Sequence, residues 1–336
     1  MPRMKNRPED FLVWENLALE RSVAGTSAPI FRYVRLRKSG FTTSEAVVLV
    51  ADWLRVPANE VRYAGLKDED GITEQTLSLP SAVLDEARLS ELGRGLSSGT
   101  ESRFLHASAS GAGDRPVEIG ALEGNTFLVT LSSVNGEELA RLSRAAKSAF
   151  YFVNYYDVQR FGVPDGPKTS HRAGAALAER DFASALALLA AARVMESATA
   201  AAHVGDPAEY FKSMDPRRLA FYRSSAASFE WNAALARLLD GDSAREVREG
   251  IEFTYPKSQD AVLALLRLTP ALPGTTYRAV GYALEPRTVE RDTVTQTRFR
   301  CWGAGEGRVR IGFQLPPGTY ATMAVRQLCL QAGLSP

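Results

Sequence analysis

The feature that most constrains this chain is how its strand-like and helix-like periods are distributed. Runs of strand character mark Phe11–Leu19, Phe31–Arg37, Val61–Leu66, Thr73–Leu79 and Phe127–Leu131, and RVRIGFQL (308–315) repeats the pattern near the other end. The pattern turns helical over roughly 172–194 and 217–239, with alanine crowded around 173–202. Shorter helices are predicted from Thr43-Ser44-Glu45 through Leu54, from Gly136 to Val153, and over TYATMAVRQLCLQ (319–331). Strands at opposite ends of 336 residues can bury their apolar faces by completing one sheet. The expectation is an α/β (α+β) catalytic domain with a mixed or antiparallel sheet, built from 1–151 and 293–336 and interrupted by a helix-rich insertion at 152–292.

Composition narrows the class. Hydrophobic residues at 45% and charged residues at 24% exclude collagen-like, disordered and disulfide-scaffold chains. No apolar run reaches the ~18 residues that cross a bilayer, and MPRMKNRPEDF lacks the apolar core of a secretory signal. A cytoplasmic, monomeric protein with no membrane partner is therefore expected. Cys301 and Cys329 form no CxxC, and His106, His171 and His203 lie far apart, so no metal is expected. The formal net charge is +1, but it is unevenly spread. Residues 1–40, 141–172 and 295–336 each carry +4, whereas 41–140 carry −9 and 173–294 carry −2. If the basic segments converge, they make the positive face that phosphate contacts require; if they do not, they are ordinary solvated surface.

The densest polar segment is Ala64-Gly65-Leu66-Lys67-Asp68-Glu69-Asp70-Gly71-Ile72-Thr73-Glu74-Gln75, between two predicted strands. A sheet can hold such a loop rigidly, and a lysine beside an aspartate favours the ionised carboxylate, ready as nucleophile or base. A solvated acidic turn fits the same residues. A calcium loop does not, because its regular ligand spacing and terminal Glu are missing.

Other segments agree with the loop in order. RPEDFLVWE (7–15), AGLKD followed by Thr73 and Gln75, GNTFLVTL (124–131), VNYYDVQRFG (153–162) and LPPGTYATMAVRQL (315–328) together resemble the TruD family of tRNA pseudouridine synthases. LAFYRSSAASFEWNAALARLL and PALPGT resemble parts of the domain inserted in that family.

The resemblance implies an RNA-binding isomerase that converts uridine to pseudouridine in tRNA, usually at position 13, with no cofactor. It implies Asp68 as the catalytic aspartate and Phe11, Asn125 and Tyr320 around the uridine, with Phe127 beside them. Lys5, Lys67, Gln159, Arg160 and Arg326 are candidate phosphate or substrate contacts, and Cys329 is most simply core. The chemistry suits these types. The base leaves C1′ through N1 and returns through C5, so one carboxylate suffices while an aromatic ring and an amide hold the detached uracil. Three places depart from the family pattern: the loop, where Glu69 and Asp70 follow the aspartate and Gly71 replaces alanine; Asp157, which replaces glycine; and position 320. A tyrosine at 320 replaces phenylalanine. The same isomerisation on another RNA or on a free uridine nucleotide is the alternative reading, and a non-catalytic RNA chaperone is the one outside enzymes.

Overall fold

The computed structural model describes residues 3–4, 6–19, 29–96, 98–100, 103–118, 121–146, 148–164, 166–239, 241–281 and 283–334. It divides into two compact units, Met1–Ala149 with Thr297–Gly318 and Ala332–Pro336, and Phe150–Gln296 with Thr319–Gln331.

The first unit is a ten-stranded mixed sheet. Its main path runs Arg300–Gly303, Val309–Leu315, Leu122–Ser132, Phe11–Leu17, Ile72–Pro80, Phe31–Ser39, Phe104–Gly113, Ser98–Gly99. Every pairing is antiparallel except that of Phe11–Leu17 with Ile72–Pro80. Strands from both ends of this stretch of chain therefore meet in one sheet, as their shared alternation requires. The register places Lys38, Thr73, Val13, Phe127 and Phe313 opposite one another in turn, so all five share a face. Two residues along each strand, Leu36, Gln75, Glu15, Asn125 and Leu315 continue that face. Helices Thr43–Leu54 and Glu86–Leu96 cover part of it, burying Val47, Val50 and Leu92 against Val34, Leu36 and Leu77. Removing such aliphatic area from water stabilises by about 25 cal/mol per Å². On the opposite face Arg35, Arg37 and Gln314 stay exposed.

Helix Thr43–Leu54 starts where the sequence predicts, and its cap is the residue before. Thr42 is its cap, the hydroxyl accepting from the Glu45 amide at 3.2 Å while the Glu45 carboxylate accepts from the Thr42 amide at 2.7 Å. Thr43 is thereby released for another task described below.

The second unit contains helices Ser170–Ala178, Phe182–Ala191 and Pro216–Arg237, and it also carries hairpins of Ser243–Arg248 with Ile251–Pro256 and of Ala271–Val280 with Ala283–Asp292. The single helix predicted over 172–194 breaks at Arg180, whose φ is 60°. The helix predicted from Gly136 to Val153 stops at Ala145, and Phe150–Val153 is a strand. Aromatic and β-branched FYFV favours extended backbone there. Helix Ala321–Gln331 groups with the second unit, where Met323 joins a core of Val153, Tyr155, Phe253 and Tyr255 and Cys329 is buried. Among the described residues no helix is long and apolar enough to cross a membrane.

Candidate active site

The polar loop before strand Ile72–Pro80 is held from beneath. Lys38 closes an inward-facing row of Val34 and Leu36, and its side chain is fully buried. Its ammonium donates to the carbonyls of Phe41 and Asp68 at 2.8 Å each and of Lys67 at 3.3 Å. The Gly40 amide adds a bond to the Glu69 carbonyl at 3.0 Å. Burial pulls the Lys38 amine down to about 8, although the charges of Asp68 and Glu69 favour its protonated form.

A second anchor lies one residue before Asp68. Lys67 sends its ammonium into the sheet, where Nζ sits 2.8 Å from Glu15 Oε1, the side chains being 4% and 1% exposed. Glu15 also accepts from the Thr76 amide at 2.9 Å. The Lys67 amide donates to the Thr43 hydroxyl at 2.9 Å, and that hydroxyl donates to Gln75 Oε1 at 3.0 Å. Lys67, a candidate substrate or phosphate contact from its sequence position, thus has its charge committed internally. Asp68 stands between the two anchors, half-buried, with Glu69 and Asp70 exposed beyond it.

Gly71 ends the loop against Phe11. A Cβ there would lie 2.5 Å from the Phe11 carbonyl oxygen and 3.0 Å from its ring, so only glycine fits without displacement. Phe11 is 1% exposed, its ring 6.0 Å from that of Phe127, which stacks on Phe313 at 5.3 Å. Across the same face, Asn125 follows Gly124, whose φ of 156° brings the chain close to the Leu315 carbonyl. The Asn125 Oδ1, Gln75 Nε2 and Thr73 Oγ1 atoms are buried without a hydrogen-bond partner. Such atoms cost free energy unless something meets them, which marks this face as one shaped for a polar guest.

The other predicted residues lie elsewhere. Lys5 falls outside the described residues. In the second unit Gln159 is half-buried, and Arg160 donates to the Ser228 hydroxyl at 3.2 Å with its guanidinium over the Phe221 ring. Tyr320 packs edge-on to Tyr156 at 6.3 Å, and burial pushes its phenol up to about 12. Arg326 is paired with Glu246 at 2.5 Å. Asp157 adds no surface charge: it is 1% exposed, accepts from Arg248 at 2.8 Å and from the Val158 amide at 2.7 Å, and takes the Thr322 hydroxyl on its other oxygen.

Sequence reasoning missed Lys38, Glu15, Thr43 and Gln75. Strand parity carried a signal for two of them, since Glu15 follows Phe11 and Val13, and Lys38 follows Val34 and Leu36, on the inward face. Among the described residues no group of three or more His, Cys, Asp or Glu could hold a metal ion.

A family model described as tRNA pseudouridine synthase D (TruD) matches residues 2–253. The tRNA pseudouridine synthase D of Anaeromyxobacter dehalogenans strain 2CP-C is 29% identical over 361 residues, covering 97% of this chain and 92% of that protein. That of Aquifex aeolicus strain VF5 is 30% identical over 162 residues, covering 48% of this chain and only 39% of the relative. A crystal structure from Methanosarcina mazei described as TruD shares the fold, with a TM-score of 0.57 at 18% identity over 99% of this chain and 94% of that one. The chain belongs to the TruD family.

Proposed function

We propose that this TruD-family chain isomerises uridine to pseudouridine in tRNA, with Asp68 as the catalytic carboxylate and position 13 as the target that the resemblance implies. The observation that carries the reading is the treatment of Asp68. Both the carbonyl of Lys67 and that of Asp68 are gripped by a buried ammonium, and the neighbouring lysine is locked to Glu15, so the carboxylate sits on a rigid base.

In this reading the target uridine is flipped out of its stack, at a cost repaid by the pocket. Asp68 either adds to C1′ as the C1′–N1 bond breaks, or removes the C2′ proton to leave a glycal. The freed uracil turns and C5 bonds to C1′, displacing the Asp68 carboxylate from the adduct or, in the glycal route, as the proton returns from Asp68 to C2′; the C5 proton is then lost and N1 takes one up. The unpartnered Asn125 Oδ1 suits the N3–H of uracil, a donor retained throughout. Phe11 and Phe127 supply apolar walls. Tyr320, Gln159 and Arg160 are read as RNA contacts of the second unit.

The test is pseudouridine mapping on a tRNA transcript treated with the wild-type protein and with Asp68→Asn. Conversion by the wild type and none by a folded Asn variant is expected. A variant as active as wild type overturns the Asp68 assignment. Conversion of uridine monophosphate with the transcript untouched replaces tRNA by a free nucleotide.

A further inference from the structure

The buried amine of Lys38 takes no step in the chemistry just described, but it holds the backbone that carries Asp68, and its environment is unusually specific. A lysine is rarely buried fully, because its charge must leave water. Here the three donors of one ammonium meet three main-chain carbonyls, those of Phe41, Lys67 and Asp68. Two of the three belong to Asp68 and the residue before it. The turn that follows Lys38 reinforces the grip through the Gly40 amide on the Glu69 carbonyl. Loop and strand end are thus tied by three bonds that involve no side chain of the loop.

We propose that Lys38 is a positioning residue for Asp68: its ammonium fixes the loop backbone and so sets where the carboxylate stands. The proposal rests on the reading of Asp68 as the catalytic group. It requires the amine to be charged. The groups facing it are Asp68, Glu69 and Glu45, which favour the proton, and Lys67, which opposes it, while burial opposes it most. The amine therefore titrates near pH 8 rather than at the ordinary 10.5. Once neutral, it offers two N–H donors to three carbonyls and turns a lone pair toward the third, and the remaining bonds lose their charge assistance. The loop should slacken as pH rises through 8, and turnover should fall with it.

Lys38→Met keeps the straight stem and removes the donors. Steady-state isomerisation of a tRNA transcript from pH 6 to 9.5 and amide hydrogen exchange are measured on both proteins. For Lys38→Met, kcat should fall about 30-fold or more, as expected for a displaced catalytic group, with KM within about twofold. The alkaline limb near pH 8 should vanish. The amides of Gly40 and Lys67, which bond the Glu69 carbonyl and the Thr43 hydroxyl, should exchange about tenfold faster, while Leu36 and Leu77 keep their protection. An unchanged kcat, or a lowered kcat with the limb intact and the core amides equally loosened, overturns the proposal. Should the Met variant not fold, the wild type still decides: protection of Gly40 and Lys67 that does not drop around pH 8 refutes the anchor. Full activity in Asp68→Asn, with Gly40 and Lys67 still loosened by Lys38→Met, refutes the Asp68 reading and not the anchoring.

Discussion

Removing the carboxylate opposite Lys67 probes the loop's second anchor. Glu15→Gln keeps the shape and leaves an oxygen for the Thr76 amide, so the change isolates the ammonium rather than emptying the site. With Nζ and Oε1 2.8 Å apart and the side chains 4% and 1% exposed, the pair is out of water, where removing one partner costs about 3–5 kcal/mol. Lys67→Met should cost a similar amount, because it strands the Glu15 carboxylate with the Thr76 amide as its remaining donor. The double variant holds no buried charge at this pair and should lie within about 2 kcal/mol of wild type. Its loss must then fall short of the summed single losses by at least about 4 kcal/mol, measured as a coupling energy. Urea unfolding followed by the summed fluorescence of the four tryptophans, of which Trp14 lies on the strand that carries Glu15, gives the stabilities by linear extrapolation. Against a typical total of about 5–15 kcal/mol, either single variant loses roughly a fifth or more of its margin. Single losses below about 1 kcal/mol, or losses that simply add in the double variant, would refute the buried-pair reasoning.

Gly71→Ala places a methyl 2.5 Å from the Phe11 carbonyl oxygen, an overpacking expected to cost about 1–3 kcal/mol and to lower turnover with it. An unchanged Tm would mean that the loop shifts freely there. His171 stacks on Phe229 at 4.2 Å with its Nδ1 buried and unpartnered, and burial pulls the imidazole from 6.5 down to about 4. Since the unfolded chain takes up a proton that the folded one refuses, stability falls as pH drops from about 6.5 to about 4. That slope should flatten in His171→Phe, and parallel slopes of urea midpoint against pH for the two proteins would exclude it.

Much of the sheet was legible because its strands alternate. Phe11–Leu17, Phe31–Ser39, Ile72–Pro80 and Val309–Leu315 all pack an apolar row inward, and period two announces that. Phe104–Gly113 was not legible: FLHASASGAG is mostly small residues, and it becomes a strand by pairing with Phe31–Ser39. The hairpin Ala271–Asp292 hides for another reason. Much of it is exposed on both faces, so no alternation betrays it. The site divided along the same line. Asp68 lies in a loop whose composition is conspicuous, so chemistry could be read from local residues. Lys38 and Glu15 owe their meaning to pairings 30 and 52 positions away, and only the assembled sheet brings an inward-facing charge to a partner. Asp157 inverts the lesson. In the sequence it is an added negative charge beside QRFG, and in the fold Arg248 and Thr322 absorb it. The formal charge of a segment therefore says little about the field an RNA would meet. Lys38, Lys67 and Asp157 all count in the segment sums, yet each has its charge spent inside the protein, whereas Glu69 and Asp70 remain at the surface beside Asp68. The surface of this loop is thus more acidic than its one lysine among three carboxylates suggests, and under the proposed function RNA phosphate would have to be attracted by cations outside it.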